Sequence, residues 1–389
     1  MKPLMPSVRQ AIADLPGSKI REVANAGLGR GDVLPFWFGE SDEVTPEPIR
    51  QAAAESLARG ETFYSHNLGL PELREAIAGY LAPRHGAVAA DRIAVTSSGV
   101  TALMLAMQML LTAGDEVVAV VPVWPNLTAQ PAILGARVTR VALRPKQGAW
   151  QLDIDELKAN VTPHTRLLLV NSPNNPTGWT LTRAEQQALL DHCRQTGTWI
   201  VADEVYERVF FGAALAAPSF LDIATADDRL VVAHSFSKSF LMTGWRLGWL
   251  VLPQPCMDAA SKLLEFNSSC APVFVQRGGQ AALAMAESFV PELVARLRAC
   301  RDRLFDGLSG LPGVTVARPP AGLYAFFRVD GQHDSLAYAK HLVVEHGLGL
   351  APGAAFGVEG EGWLRWCFAS REPARLDLGL QRLRGALHL

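Results

Sequence analysis

The chain has 389 residues, of which 49% are hydrophobic, and this is enough apolar material for a large buried core. Its formal net charge of -2 excludes the basic surplus that is typical of nucleic-acid-binding proteins. No segment reaches the roughly 20 apolar residues of a membrane span, and the N-terminus lacks the apolar core of a signal peptide, so we expect neither a nucleic-acid nor a membrane partner.

The middle of the chain alternates short runs of Val, Ile and Leu with helix-like segments. The expected strands are residues 92–97, 116–122, 137–143, 166–171, 199–203, 230–234 and 247–252, and helices are expected at 100–111 and 183–195. Apolar strands that alternate with helices are typical of a parallel sheet covered on both faces. We therefore predict an α/β fold with a mainly parallel seven-stranded sheet and helices on both faces.

The pattern changes after about residue 271. Long helices are followed by expected strands at 314–317 and 324–329, a helix at 335–346, a strand at 363–369 and a last helix from residue 373. This order predicts a second, smaller α+β domain. We place an N-terminal arm and part of the small domain at residues 1–45, the large domain at 46–285 and the small C-terminal domain at 286–389.

The segment after the strand at 230–234 carries the strongest chemical signal, with the sequence SFSKSFLMTGWRLG at residues 235–248. Most lysines are exposed surface residues, but Lys238 follows an apolar strand and has aromatic neighbours in the chain. A lysine held out of water has a lowered pKa and can form Schiff bases as a nucleophile. Ser235, Ser237 and Arg246 have the hydroxyl and guanidinium donors that suit a phosphate.

This segment resembles the lysine signature of the class I/II aminotransferases, which use pyridoxal 5′-phosphate (PLP) and have the aspartate aminotransferase fold (fold type I). The likeness extends from about Gly39 to Ala369, and several separate motifs occur in the family's order. The resemblance implies that PLP is the cofactor and that it forms a Schiff base with Lys238.

Two further motifs resemble the part of the family site that holds the cofactor ring. In ADEVY, at residues 202–206, the resemblance implies that Asp203 pairs with the pyridine nitrogen and that Tyr206 donates to the phenolate oxygen. In NSPNNPTG, at residues 171–178, it implies that Asn175 contacts the same oxygen and lies near the substrate. The alternatives are a helix-capping aspartate beside a core tyrosine and a plain Pro/Gly/Asn turn.

A strand end that leads into a helix suits the phosphate group. Helix N-termini bind anions through free N–H groups and the helix dipole, and Gly99 permits close approach. We expect Ser98, Gly99, Val100 and Thr101 to hold the phosphate, with the N–H groups of Val100 and Thr101 as donors. The alternative is a simple capping turn. The resemblance also implies that Trp124 stacks on the pyridine ring, although it could equally be a packing residue.

Three segments are expected to handle substrate and subunit contacts. The strand LRWCFA, at residues 364–369, resembles the one whose arginine, here Arg365, binds the substrate α-carboxylate in a bidentate manner. The loop FWFGE resembles the segment where a glycine N–H, here that of Gly39, meets the same carboxylate, and Trp37 is expected beside it. The family's tyrosine at Tyr64 reaches the phosphate of the neighbouring subunit, which implies a homodimer.

The resemblance implies a ping-pong transamination that moves an amino group from an L-amino acid to a 2-oxo acid, with Lys238 as general base and acid. One alternative on the same fold is a PLP-dependent C–S β-lyase. A more distant one is a PLP-sensing regulator, for which the roughly 35 residues before the Phe36 loop are too few to form a DNA-binding domain.

The choice of amino donor stays open. An aspartate-using subgroup has a lysine near the phosphate loop, where this chain has Thr101, and aromatic residues at 36–38, 124 and 245 would favour neutral or aromatic side chains unless they belong to the core. The five cysteines are scattered and form no CxxC, and the histidines form no HExxH, so we expect a cytoplasmic protein without a metal site.

Overall fold

A computed structural model describes residues 7–389, which form fifteen strands and fourteen α-helices. The strands are Leu34–Pro35 (β1), Ile93–Thr96 (β2), Glu116–Val121 (β3), Arg137–Ala142 (β4), Arg144–Lys146 (β5), Ala149–Gln151 (β6), Thr165–Asn171 (β7), Trp199–Asp203 (β8), Leu230–Ser235 (β9), Gly248–Val251 (β10), Val314–Val316 (β11), Tyr324–Val329 (β12), Leu348–Gly349 (β13), Ala351–Pro352 (β14) and Trp363–Cys367 (β15).

The helices differ widely in length, from one turn to more than six. They are Gln10–Ala13 (α1), Lys19–Ala26 (α2), Glu47–Ala58 (α3), Pro71–His85 (α4), Gly99–Leu110 (α5), Asn126–Ile133 (α6), Ile154–Asn160 (α7), Arg183–Thr196 (α8), Phe236–Ser239 (α9), Met257–Asn267 (α10), Val273–Ala284 (α11), Ala286–Ser309 (α12), Ser335–His346 (α13) and Ala374–Ala386 (α14). Within residues 7–389, none of these helices combines the length and the apolar character needed to cross a membrane.

The large sheet has seven strands in the order β2-β10-β9-β8-β7-β3-β4. The pairings from β9 to β4 are parallel, whereas β10 is antiparallel to both of its neighbours. The sheet predicted from the sequence is confirmed, including the seven strand positions to within one or two residues at each end. The reversed direction of β10 was not part of that prediction.

Alternate residues of the central strands belong to two separate hydrophobic cores, one on each face of the sheet. In β3, Val117, Ala119 and Val121 pack with the apolar residues of α5 and α10, while Val118 and Val120 pack with those of α4 and α8. Successive side chains of a strand point to opposite faces, so a strand buried on both sides must be apolar throughout. This explains why β3 reads as an unbroken apolar run.

The smaller sheet has four strands in the order β11-β12-β15-β14, with antiparallel pairing, and α12, α13 and α14 contact its strands or each other. The smaller α+β unit predicted from the sequence is thus confirmed. The N-terminal segment joins it, because β1 pairs in parallel with β13 and α2 contacts α13. The domain boundaries at residues 45 and 285 stay predictions.

Most of the residues with candidate chemical roles lie at one edge of the large sheet. Five parallel strands and β2 end there, so the residues that follow them lie close together. Because β10 runs the other way, it begins at this edge, and Gly248 pairs with both Ser235 and Thr96. The residues just before β10, including Arg246, therefore meet the residues that follow β2 and β9.

Candidate active site

A cavity of about 270 Å³ lies at this edge, between the large sheet and the smaller one. It is lined by twelve of the residues that the sequence singled out: Gly39, Gly99, Val100, Trp124, Asn175, Asp203, Tyr206, Ser235, Ser237, Lys238, Arg246 and Arg365. Residues from both sheets and from the N-terminal segment therefore meet in one place. Four other predicted residues, Trp37, Tyr64, Ser98 and Thr101, do not line it.

Lys238 projects into the cavity from α9, the single helical turn that follows β9. Its Nζ donates a 2.7 Å hydrogen bond to the backbone carbonyl oxygen of Gly39. Burial lowers the pKa of the Lys238 amine to about 8, because the charged form loses its hydration. A substantial fraction of the amine is therefore neutral near pH 8, the form that reacts as a nucleophile.

Asp203 is the last residue of β8 and is buried at the base of the cavity. Burial raises the pKa of its carboxyl to about 7, and the N–H of Val205, which donates to Oδ1 at 3.3 Å, offsets part of that rise. Among residues 7–389, no arginine or lysine forms a salt bridge with this carboxylate. It is therefore suited to pair with a cationic or proton-bearing group that enters the cavity.

Tyr206 lines the cavity one turn after Asp203, and its hydroxyl lies 2.7 Å from the hydroxyl of Tyr324. Burial raises the pKa of both phenols, that of Tyr324 to about 12, so both stay protonated at neutral pH. Sequence reasoning missed Tyr324, because an aromatic residue at the start of a buried strand has the pattern of a core residue. It also missed Asn171 and Ile20, which line the cavity too.

Arg365 enters the cavity from β15 and is buried without a carboxylate partner among the described residues. Its Nη1 donates to Asn175 Oδ1 at 2.9 Å and its Nη2 to the backbone carbonyl oxygen of Trp37 at 2.6 Å. The guanidinium carbon lies 4.3 Å from the ring centroid of Tyr324. A buried guanidinium held only by neutral acceptors is prepared for an anionic ligand.

The loop before α5 forms the opposite side of the cavity. Ser98 has a φ of 119°, and its hydroxyl accepts from the Thr101 N–H at 3.2 Å. The N–H of Thr101 therefore donates to Ser98, which differs from the expectation from the sequence that it donates to the phosphate. Among the described residues, the N–H groups of Gly99 and Val100 have no acceptor, so these two are the available donors.

Glycine is required where this loop meets the large sheet. A Cβ on Gly248 would lie 2.6 Å from the Gly99 nitrogen, and a Cβ on Gly99 would lie 3.1 Å from Cβ of Ser235. The loop before α5 can therefore pack closely against β9 and β10 at this point. Ser235, Ser237 and Arg246 complete this side, and the two serine hydroxyls lie 2.9 Å apart.

The aromatic residues near the site fall into two groups. Trp124 and Phe38 line the cavity. The ring of Trp37 packs instead against Gly27 and Gly349, where the absence of Cβ atoms leaves room for it, so it is not placed to contact a substrate in the cavity. Only the backbone carbonyl of Trp37 takes part, through Arg365. Phe36 packs on Trp366, and Trp245 contacts Gly278, so both belong to the packing of the protein.

Tyr64 lies on the surface of this chain and 89% of it is exposed. Its neighbour Phe63 is 83% exposed, and Phe266 at the end of α10 is 87% exposed. Large aromatic residues with this exposure are typical of surfaces that bind another protein. The position of Tyr64 outside its own cavity is compatible with a role at the site of a second subunit.

A buried polar network lies behind the cavity. His85 Nε2 is 2.7 Å from Glu207 Oε2, and His85 Nδ1 is 2.7 Å from Asp222 Oδ1. Burial opposes the charge on the imidazole, but the Glu207 carboxylate and the hydrogen bonds with both acids outweigh it and raise the pKa of His85 to about 10. Potential metal-ligand atoms of Glu204, Glu207 and His234 lie within 4.8 Å of one another. The Glu207 carboxylate, however, already pairs with the cationic His85.

Comparison with known proteins identifies relatives over nearly the whole chain. The family model for aminotransferases of class I and II matches residues 32–383. An aspartate aminotransferase of Pyrococcus horikoshii is 32% identical over 374 residues, which cover 95% of this chain and 94% of the relative. An arginine–pyruvate transaminase of Pseudomonas aeruginosa is 35% identical over 341 residues, which cover 86% of this chain and 85% of the relative.

The fold has close counterparts among solved structures. The aspartate aminotransferase of Thermotoga maritima superimposes with a TM-score of 0.90 at 32% identity, and the match covers 98% of this chain and 100% of that one. The aromatic aminotransferase of Pyrococcus horikoshii superimposes with a TM-score of 0.86 at 29% identity, over 94% of this chain and 98% of that one.

Proposed function

This chain belongs to the class I and II aminotransferase family, and from that premise we propose that Lys238 and the residues around it hold pyridoxal 5′-phosphate for amino transfer. The family expected from the sequence is confirmed, and the chain is an aminotransferase. It moves an amino group from an amino acid to a 2-oxo acid. The aminotransferase names of its relatives favour this reaction over C–S β-elimination on the same fold.

The observation that carries the cofactor assignment is the buried Lys238 amine of lowered pKa that shares a cavity with the buried Asp203 carboxylate. The donor set fits PLP at each end. The free N–H groups of Gly99 and Val100, the serine hydroxyls and Arg246 suit a phosphate dianion. Asp203 suits the pyridine nitrogen, because a carboxylate there keeps that nitrogen protonated.

The remaining cofactor contacts follow from the same arrangement. Trp124 offers a flat ring for stacking on the pyridine. Tyr206 and Asn175 offer a hydroxyl and an amide for the phenolate oxygen. When bound, PLP supplies an electron-accepting ring that stabilises negative charge at the α-carbon of the amino acid.

The chain's own groups carry out binding and proton transfer. Arg365 binds the substrate α-carboxylate, because its guanidinium is buried, held in place by Asn175 and Trp37, and without a carboxylate of its own. Gly39 also lines the cavity, and in this proposal its N–H donates to the same carboxylate. Lys238, once neutral, removes the α-proton of the donor as a general base and returns a proton as a general acid. Burial of the site excludes water from this step.

We propose that the amino donor has a neutral side chain, apolar or aromatic. The cavity is lined by Ile20, Phe38, Leu103 and Trp124, and its cations within the described residues are Lys238, Arg246 and Arg365. Each of those cations has another role in this proposal, so within this subunit none of them is left for a side-chain carboxylate. The named relatives do not decide this point, because they include aspartate, arginine and aromatic aminotransferases.

A donor screen tests this specificity. Phenylalanine, leucine, aspartate and arginine are each supplied with 2-oxoglutarate, and the new 2-oxo acid is quantified together with pyruvate and ammonia. We expect higher kcat/KM for phenylalanine or leucine than for aspartate. A preference for aspartate would contradict the proposed donor class. A cysteine S-conjugate is supplied as a fifth substrate, and release of pyruvate and ammonia from it in place of transamination would contradict the reaction type.

We propose a homodimer in which Tyr64 reaches the phosphate end of the neighbouring cavity, which its exposure and that of Phe63 support. A hybrid dimer tests this arrangement. Coexpressed Lys238→Ala and Tyr64→Ala subunits should form hybrids in which one site contains both intact residues and regains activity. We also propose a cytoplasmic location, which the five unpaired cysteines support.

Replacement of Lys238 tests the cofactor assignment. Purified wild-type protein incubated with PLP should absorb visible light, and borohydride should then fix the cofactor to the peptide that contains Lys238. Lys238→Ala should lose both the stable colour and all turnover. Lys146→Ala, which removes an exposed lysine of β5, is the matched control. Fixation at another side chain would refute the assignment.

A further inference from the structure

Two tyrosines from different sheets share one hydroxyl contact in the cavity wall. Tyr206 follows β8 of the large sheet, and Tyr324 begins β12 of the smaller sheet. Their hydroxyl oxygens are 2.7 Å apart, and their rings meet edge to face at 5.8 Å between centroids. Both residues are buried and both line the cavity.

The two hydroxyls form one hydrogen bond with each other but have two protons between them. At neutral pH the two phenols carry two protons, and only one of these can lie between the two oxygens. Among residues 7–389, neither hydroxyl has any other hydrogen-bond partner. The second proton is therefore free to point into the cavity, toward whatever acceptor is bound there.

The position of Tyr324 is closely determined by its neighbours. Its ring lies under the guanidinium of Arg365, 4.3 Å from its carbon, and its hydroxyl occupies the space where Gly39 has no side chain. A Cβ on Gly39 would overlap the Tyr324 hydroxyl. Tyr324 thus contacts the proposed carboxylate-binding Arg365 through its ring, and it contacts Tyr206 through its hydroxyl.

We propose that Tyr324 is a positioning residue whose hydroxyl donates to Tyr206 and so directs the Tyr206 proton toward the phenolate oxygen of the bound cofactor. This inference rests on the proposed function, in which Tyr206 contacts that oxygen. A lone Tyr206 hydroxyl can rotate between two in-plane orientations. The donation from Tyr324 occupies one of its lone pairs and leaves its own proton for the cofactor.

The proposal predicts a spectroscopic change. A hydroxyl that donates to an anionic oxygen stabilises the anionic form, so the pH midpoint of the bound cofactor's visible absorbance depends on the Tyr206 bond. Tyr324→Phe keeps the ring but removes the donor. We expect this midpoint to rise by about half a unit to one unit and kcat to fall about tenfold, the loss of one moderate hydrogen bond.

A matched control is provided by Tyr338. It is a buried tyrosine on α13 whose hydroxyl has no hydrogen-bond partner among residues 7–389, so Tyr338→Phe removes a buried phenol oxygen away from the cavity. This variant should keep the wild-type midpoint and kcat. If Tyr324→Phe also keeps both, the hydroxyl of Tyr324 has no positioning role and the proposal is overturned.

A second comparison separates the roles of hydroxyl and ring. Because Tyr324→Phe retains the ring beneath Arg365, KM for the amino donor should stay within about twofold of wild type. Tyr324→Leu removes the ring as well, and KM should then rise about tenfold. If Tyr324→Phe instead raised KM and left kcat and the midpoint unchanged, the hydroxyl would act on substrate binding and the proposal would be wrong.

A double-mutant cycle tests whether Tyr324 acts through Tyr206. Tyr206→Phe alone should raise the midpoint at least as much as Tyr324→Phe, and the double variant should match Tyr206→Phe, because the target of the Tyr324 hydroxyl is already gone. Additive shifts would contradict the proposal. Failure of the proposed function is recognised separately, since wild-type protein would then show no cofactor absorbance at all.

Discussion

Arg365 of the smaller sheet donates a 2.9 Å hydrogen bond to the side-chain oxygen of Asn175, which follows β7 of the large sheet. This bond joins the two sheets at the cavity. It also holds the guanidinium in place through a neutral acceptor, so the charge of Arg365 stays available for a ligand. The site therefore combines a fixed guanidinium, the proposed carboxylate receptor, with a buried amine, Lys238.

The first prediction concerns that receptor. Arg365→Lys keeps the charge but cannot span Asn175, the Trp37 carbonyl and a bidentate carboxylate together. We expect kcat/KM to fall about 100- to 1,000-fold, mostly through a higher KM for the amino donor. Steady-state kinetics measures the change. Arg328→Lys, at an exposed position of the neighbouring strand β12, should leave the kinetics unchanged; equal losses in both variants would refute the assigned role.

The second prediction concerns the amine. Since burial lowers the pKa of Lys238 from 10.5 to about 8, the neutral form becomes dominant above that pH. The rate at which cofactor-free protein captures PLP should therefore rise with pH and level off above about pH 8. Mixing experiments that follow the visible absorbance measure this rate. A rate that is flat from pH 6 to pH 9, or that still rises steeply toward pH 10, would contradict the lowered pKa.

The third prediction links function and stability at Asp203. Burial raises the pKa of its carboxyl from 3.8 to about 7. The folded protein therefore loses stability as pH rises from about 4 through 7, because the buried carboxyl must then ionise. Asp203→Asn removes this free-energy cost of ionisation. At pH 8 the cofactor-free variant should be more stable than wild type, by up to roughly 4 kcal/mol, and the difference should vanish near pH 4.

Urea unfolding of the cofactor-free proteins measures that difference, and Asp227→Asn, at an exposed aspartate, is its control. The same Asp203→Asn variant should lose about 100- to 1,000-fold in kcat, because it lacks the charge that is proposed to hold the proton on the cofactor nitrogen. A variant that is both less stable at pH 8 and fully active would show that Asp203 is a structural residue.

The fourth prediction concerns the network behind the cavity. His85 is held between Glu207 and Asp222, and its pKa is raised from 6.5 to about 10, so its contribution to stability is fully present below pH 6.5 and is lost as pH rises through about 10. His85→Leu leaves the buried Glu207 without its cation and should cost about 3 to 5 kcal/mol at pH 6.5.

Urea unfolding at pH 6.5 and pH 9.5 tests this network. The difference in the free energy of unfolding between wild type and His85→Leu should be smaller at the higher pH. His341→Gln replaces an exposed histidine of α13 and should unfold like wild type at both values. A gap that does not change with pH would mean that His85 is neutral in the folded protein.

Local features of the sequence were sufficient to predict the architecture and the chemistry of the reactive residues. Strands of Val, Ile and Leu can bury both faces only within a covered sheet, so the seven runs between residues 92 and 252 already determined its strands. The ends of parallel strands meet at one edge, and this rule alone predicts that Lys238, Asp203 and Asn175 lie near one another.

Only the tertiary structure decided which partners these residues have. The antiparallel direction of β10 brings Arg246 to the same edge, and the packing of Trp37 against Gly27 and Gly349 turns its ring away from the cavity. Tyr206 and Tyr324 are 118 residues apart in the chain, and Arg365 and Asn175 are 190 apart. Contacts over such distances depend on how the two sheets pack against each other, and no local pattern of residues carries that information.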